Sequence, residues 1–169
     1  TTYDNNASVT SLSDEMNAQI TLYAQWTINQ YTISFNSNGG SEVDPITQNY
    51  NTDVSAPTAP TKTGYTFAGW YSDEELTNAY TFTTMPAEDI TLYAKWNIVT
   101  YDIVYNLEGG RFNNTYATTY RIDSEDIILK TPTKLGYNFD GWYTDENCTE
   151  IIAEITKGSY GDLELFAKW

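Results

Sequence analysis

Three segments of this chain end alike. Residues 20–26 read ITLYAQW, residues 90–96 read ITLYAKW and residues 163–169 read LELFAKW. Their closing residues, Trp26, Trp96 and Trp169, stand 70 and then 73 positions apart. A long motif recurring at one period constrains the fold more than any local propensity does. Each period is one small structural unit, and the chain is a tandem array of such units. Two further motifs keep the same order and spacing. YTISFNSNGG (Tyr31–Gly40) returns as YDIVYNLEGG (Tyr101–Gly110), and GYTFAGWYSDEELT (Gly64–Thr77) returns as GYNFDGWYTDENCT (Gly136–Thr149). One complete module is therefore expected over residues 31–96, and a second, more divergent one over 101–169. Residues 1–26 are expected to be the C-terminal part of a truncated repeat, since alignment on the closing strand sets Tyr3 opposite Asp73.

A unit of roughly 70 residues is near the lower limit for an independent hydrophobic core. Aromatic side chains offset the small size: they make up 15% of the chain, and each can bury roughly 150–250 Å². Within a module the apolar residues alternate, which is the period of a half-buried strand. Strands are expected at Tyr31–Phe35, near Ile46–Tyr50 (matched by Ala117–Ile122), at Tyr65–Tyr71 and at Ile90–Trp96. In the last of these Ile90, Leu92, Ala94 and Trp96 are expected inward, and Thr91, Tyr93 and Lys95 outward. Asn38-Gly39-Gly40 reads as a hairpin turn. Pro57 and Pro60 mark an extended crossing. Gly69 inside a strand reads as a bulge that brings Phe67 and Trp70 to one face. Asp73 to Leu76 is expected to form one short helical turn, with its acids at the favoured end. No stretch carries helical periodicity over ten or more residues, so the fold class is mainly β (small α+β), about four strands per module. The connectors Thr27–Gln30 and Asn97–Thr100 contain no Gly or Pro, so an elongated, fairly stiff string of modules is expected.

The charge is −15 over 169 residues. A chain so acidic lacks the basic footprint that nucleic acid requires, and no run of apolar residues is long enough to insert into a membrane. There is no histidine and a single cysteine, Cys148, so neither a Ser-His-Asp nor a Cys-His arrangement can be built from these residues. Cys148 occupies the position of Leu76, which favours packing. Asp73, Glu74 and Glu75, with Asp145 and Glu146, follow no calcium-loop spacing and crowd one short segment, where a glycosidase pair would face across a cleft. No catalytic residue, metal ligand or cofactor is expected. The open question is the aromatics. Tyr71, Tyr93, Tyr143 and Phe166 are candidate ligand contacts that would stack on sugar rings if they point outward, whereas Trp70 and Trp142 are expected in the core.

The pattern GY-x-F-x-GWY-x-D, followed by a closing LYAKW and preceded by a Gly-Gly turn, resembles the internalin B-repeat family, also called the Listeria–Bacteroides repeat. The motif positions are Gly39, Gly40, Gly64, Tyr65, Phe67, Gly69, Trp70 and Trp96 in one module. In the next they are Gly109, Gly110, Gly136, Tyr137, Phe139, Gly141, Trp142 and Trp169. The resemblance implies a β-grasp-like module, a place in bacterial cell-surface or secreted, wall-associated proteins, and no catalytic residues. The last module departs from the pattern where Arg111–Ile122 is longer and where Ile127-Ile128-Leu129 replaces Val54-Ser55-Ala56. The expected function is that of a spacer or stalk and protein-interaction (adhesion) module. The alternative is a module that binds a host-surface or matrix protein, a glycan or a cell-wall polymer through outward aromatics. The truncated first repeat lacks its own partner strands. Ile20–Trp26 is expected to pair with the neighbouring module or with another copy of the chain, the latter a route to self-association.

Overall fold

The computed structural model describes Ser13, Gln19 and residues 21–169. Among these residues there is no helix; the structure is strands and turns. The middle repeat contributes β1 (Gln30–Asn36), β2 (Ile46–Asn49), β3 (Tyr65–Tyr71) and β4 (Ile90–Ile98), in the sheet order β2-β1-β4-β3. The first and last strands lie parallel at its centre, with Ile33 opposite Ile90, and the flanking pairs are antiparallel. The last repeat contributes β5 (Tyr101–Asn106), β6 (Thr119–Tyr120), β7 (Ile127–Ile128), β8 (Gly141–Tyr143), β9 (Ile151–Ile152), β10 (Glu154–Ile155) and β11 (Leu163–Lys168). Its main sheet is ordered β6-β5-β11-β8-β9, again with a parallel central pair, and β7 and β10 form a separate ribbon.

Each repeat carries its own apolar cluster. In the middle repeat the buried set is Ile33, Val54, Trp70, Met85, Leu92 and Ala94. In the last repeat it is Ile103, Leu129, Trp142, Ile155, Leu165 and Ala167, with Tyr120 added. Strand register and loop hydrogen bonds make these six positions correspond one to one. The amide of Val54 donates to Thr83 O at 2.9 Å and that of Leu129 to Ala153 O at 3.0 Å. Leu92 and Leu165 are both completely buried, as the inward face of the closing strand requires. The Gly69 bulge is present: the β3–β4 register shifts between Phe67 and Gly69, and Gly69 has a φ of 117°. It turns Phe67 onto Trp70 with ring centroids 5.3 Å apart.

Four expectations are corrected. Asp73–Leu76 is a tight turn and not a helical one: Leu76 N–H donates to Asp73 O, and Leu76 itself adopts a left-handed φ of 56°. The side chain of Asp73 competes with helix formation by capturing local amides, which Asp does readily. The Gly-Gly segment is a turn but does not join two paired strands directly, because β1 meets β2 only between Gln30–Ile33 and Ile46–Asn49. Ile127-Ile128-Leu129 replaces Thr52-Asp53-Val54 and not Val54-Ser55-Ala56, since the backbone pairing of Leu129 is that of Val54. Finally, among the described residues Thr21–Trp26 forms no strand and pairs with no strand of this chain, and Leu22, Tyr23 and Trp26 are exposed. Ile20 lies outside the described residues.

Candidate interaction surface

The Gly-Gly turn owes its composition to the closing tryptophan. A methyl group at Gly40 would collide with the Trp96 ring, and one at Gly110 with the Trp169 ring. Each indole also donates a hydrogen bond into the turn, Trp96 Nε1 to Ser37 O at 2.9 Å and Trp169 Nε1 to Leu107 O at 3.1 Å. A lysine locks the other side. Lys62 Nζ donates to Asn38 O at 2.8 Å and lies 4.7 Å from the centre of the Tyr65 ring. Lys134 Nζ donates to Glu108 O at 2.6 Å and lies 4.4 Å from that of Tyr137. Cation and ring attract because the ring face is electron-rich. Gly40, Trp96, Lys62 and Tyr65, answered by Gly110, Trp169, Lys134 and Tyr137, thus form one repeated clamp.

The candidate ligand contacts lie at the other end of the β3–β4 and β8–β11 pairs, where Tyr71 stands opposite Tyr93 and Tyr143 opposite Phe166, and are largely covered. Tyr143 is buried, with Lys168 Nζ 5.0 Å from the centre of its ring, and it is not available for stacking. Tyr71 is half-buried under Lys95, whose Nζ lies 4.6 Å from its ring centre. Tyr93 is half-buried and donates its hydroxyl to Glu74 at 3.1 Å; that bond holds the phenol above its ordinary pKa. Phe166 is half-buried. The three tyrosines are therefore not an outward aromatic face, because lysines and a glutamate of the same repeat already occupy their ring faces and hydroxyl. Trp70 and Trp142 lie in the cores, as expected.

The acids of the Asp73 turn serve the backbone. Asp73 accepts from the amides of Thr77 and Asn78 at 2.9 and 2.7 Å, and Asp145 from those of Thr149 and Glu150 at 2.9 and 2.8 Å. These donors pull both carboxyls below the usual carboxylate range. Cys148 is a half-buried free thiol at a left-handed turn position, like Leu76. One shallow open depression of about 590 Å³ lies beside β4, lined by Ser72, Tyr80, Glu88, Asp89, Thr91 and Tyr93 among others. Asp89 is partly used there, accepting from the Thr32 amide at 2.7 Å.

The exposed aromatics are elsewhere. Tyr137 and Tyr160 are exposed, as are Tyr50 and Tyr116 at their margins, and Leu135 is fully exposed. The sequence held one signal for this: Leu135 stands in a Lys-x-Gly-Tyr turn where the middle repeat has Thr63.

Comparison with known proteins agrees with the repeat architecture. The Listeria-Bacteroides repeat domain matches residues 31–95 and again 101–168. Over 162 residues the chain is 39% identical to a protein of Evansella cellulosilytica named "Putative Gly-rich membrane protein", covering 93% of this chain and 18% of that one. Over 150 residues it is 37% identical to internalin H of Listeria monocytogenes, covering 85% of this chain and 26% of that one. The chain thus spans about a quarter or less of these relatives.

Proposed function

The chain belongs to the Listeria–Bacteroides repeat family, and from that premise we propose that it is a non-catalytic stretch of repeats in a bacterial cell-surface protein, acting as a spacer that holds other domains away from the cell. The observation that carries this reading is the recurrence of the same six buried positions in both repeats, with the motif aromatics turned inward or capped by their own lysines. What recurs is thus devoted to making a small sheet stable. Residues such as Thr81, Thr91, Asn78 and Asn97 are exposed on the outside, and the net charge keeps such a surface soluble and non-adhesive toward other acidic surfaces. We read each repeat as a β-grasp derivative whose crossover from the second to the third strand, 50–64 in the middle repeat, carries no helix; the parallel pairing of first and last strands at the sheet centre supports this.

A second reading, a glycan or matrix-binding module, is favoured by the depression where Tyr80 and Tyr93 stand beside Glu88 and Asp89. Weak contacts there would add by avidity along an array. The purified chain, applied to arrays of glycans, matrix proteins and bacterial wall polymers at low and physiological salt, separates the two. The spacer reading expects no retention at physiological salt. Retention that Tyr93→Ala abolishes in a folded chain overturns it.

A further inference from the structure

The two Lys-x-Gly-Tyr turns have the same backbone and different surroundings. Gly64 and Gly136 both have a φ of 79°, and both are fastened by the same lysine clamp. Yet Gly64 is buried and Gly136 exposed. What buries Gly64 is the following repeat: a Cβ built there would lie 2.7 to 2.8 Å from three atoms of Ile122, and at Gly136 it would meet nothing within 4 Å. The connector takes part as well. β4 runs on past Trp96, so that Asn97 and Ile98 pair with Thr66 and Tyr65, and Val99 N–H donates to Gly64 O at 2.9 Å. In the last repeat β11 runs to Lys168, next to the last of the 169 residues, and β8 begins only at Gly141. Leu135 is left fully exposed and Tyr137 60% exposed.

The other half of the contact also recurs. Tyr31 stands opposite Gln48, and Tyr101 opposite Tyr120, so the residue two further on, Tyr50, holds in the middle repeat the place of Ile122. Tyr50 is 46% exposed, with its edge against Tyr31. The chain therefore shows one completed junction, one open knob at Tyr50 and one open seat at Gly136.

We propose that the Leu135–Gly136–Tyr137 turn is a docking seat whose occupant is a further module of this same kind, a second copy of the last repeat. Its connector would extend the strand beside Tyr137–Phe139, and its Ile122 would rest on Gly136. The glycine is required twice over, for the left-handed φ and for the closeness of the knob. Leu135 and Tyr137 would gain the cover that an exposed apolar pair lacks. The proposal stands whether the array is a spacer or an adhesin, since it concerns how modules are joined and not what they bind.

The test extends the full chain by a second copy of residues 97–169 placed directly after Trp169. Hydrogen exchange of residues 136–139 is then compared in the two chains. A new strand pairing predicts exchange slowed by about tenfold or more. Exchange that stays fast, while the appended copy protects its own closing strand, overturns the proposal and describes freely swinging modules. Gly136→Ala supplies a second readout. In the 169-residue chain it should disturb exchange in its own turn less than Gly64→Ala does, because only Gly64 carries the Ile122 contact. In the extended chain the two substitutions should become equivalent. Equal effects in both chains contradict a seat at Gly136. Truncating the knob with Ile122→Ala should lessen the effect of Gly64→Ala, by removing two of the three crowding atoms.

Discussion

The middle and last repeats differ most at their edges and least in their cores. Ile33, Val54, Trp70, Met85, Leu92 and Ala94 are answered by Ile103, Leu129, Trp142, Ile155, Leu165 and Ala167. The changes among them are volume-tolerant apolar swaps, Val for Leu and Met for Ile, which cores accept readily. At the edge the repeats diverge. The middle repeat bridges Asp53 to Thr84 at a single point, whereas the last one builds the β7–β10 ribbon from Ile127-Ile128 and Glu154-Ile155. Gln48 gives way to Tyr120, which is buried and donates its hydroxyl to Gly161 O at 2.5 Å. A repeat this small keeps its fold by fixing which side chains meet in the middle, and it leaves the rim free to vary.

The sharpest way to break that comparison is in the core. Trp70→Ala and Trp142→Ala should each cost about 3–5 kcal/mol, with similar values in the two repeats. Denaturant unfolding followed by exchange in each repeat checks this, and a repeat that tolerates the loss does not share the core. Next in size are Gly40→Ala and Gly110→Ala. Neither position has a left-handed φ, so the penalty is overlap, with the tryptophan ring first and with the Thr61 or Leu107 carbonyl oxygen beside it, about 1–3 kcal/mol. Comparable shifts in thermal unfolding are expected in both repeats.

The alkaline limb should distinguish the repeats. Burial raises the phenol pKa of Tyr105 and Tyr120 in the last repeat. A folded pKa above the unfolded value means that the unfolded chain loses its protons first. Stability is therefore whole below the ordinary tyrosine pKa and falls as pH rises through the folded one. In the middle repeat Tyr93 is raised too, first through its hydrogen bond to Glu74. The last repeat should loosen first in alkali, and Tyr120→Phe should weaken it by about 0.5–1.5 kcal/mol at neutral pH while blunting its alkaline loss. Repeat-resolved exchange against pH would show the order. Smallest is the acid effect, expected to be shared. Asp73 and Asp145 have lowered pKa values, so their contribution is present above the ordinary carboxylate pKa and fades as pH falls through the folded value. Asp73→Ala and Asp145→Ala should remove it alike, and unequal acid responses would show that the turns are not equivalent.

Much of this was legible in the sequence because strand alternation and motif period are local. Tyr65–Tyr71 was placed to the residue, and the inward set of the closing strand and the Gly69 bulge followed from pattern alone. What escaped is tertiary. That Gly40 makes room for Trp96 requires knowing which ring lies above it. That Lys95 and Lys168 cover Tyr71 and Tyr143 depends on how neighbouring strands align, so outwardness in an alternating strand was a poor guide to accessibility. The place of Leu129 lies two residues from where its apolar neighbours align across the insertion, because backbone pairing and not apolar character decides it. The Gly64 contact with Ile122 is invisible without the second repeat in place, although Leu135 for Thr63 marked the open seat.

The measurement closest to the central claim is small-angle scattering from chains of increasing repeat number, built by adding copies of residues 97–169. If repeats of one core are joined through one repeated junction, the maximum dimension grows by the same step for each copy added. A dimension that flattens as copies accumulate, as it would for repeats that collapse on one another or hinge freely, contradicts the account.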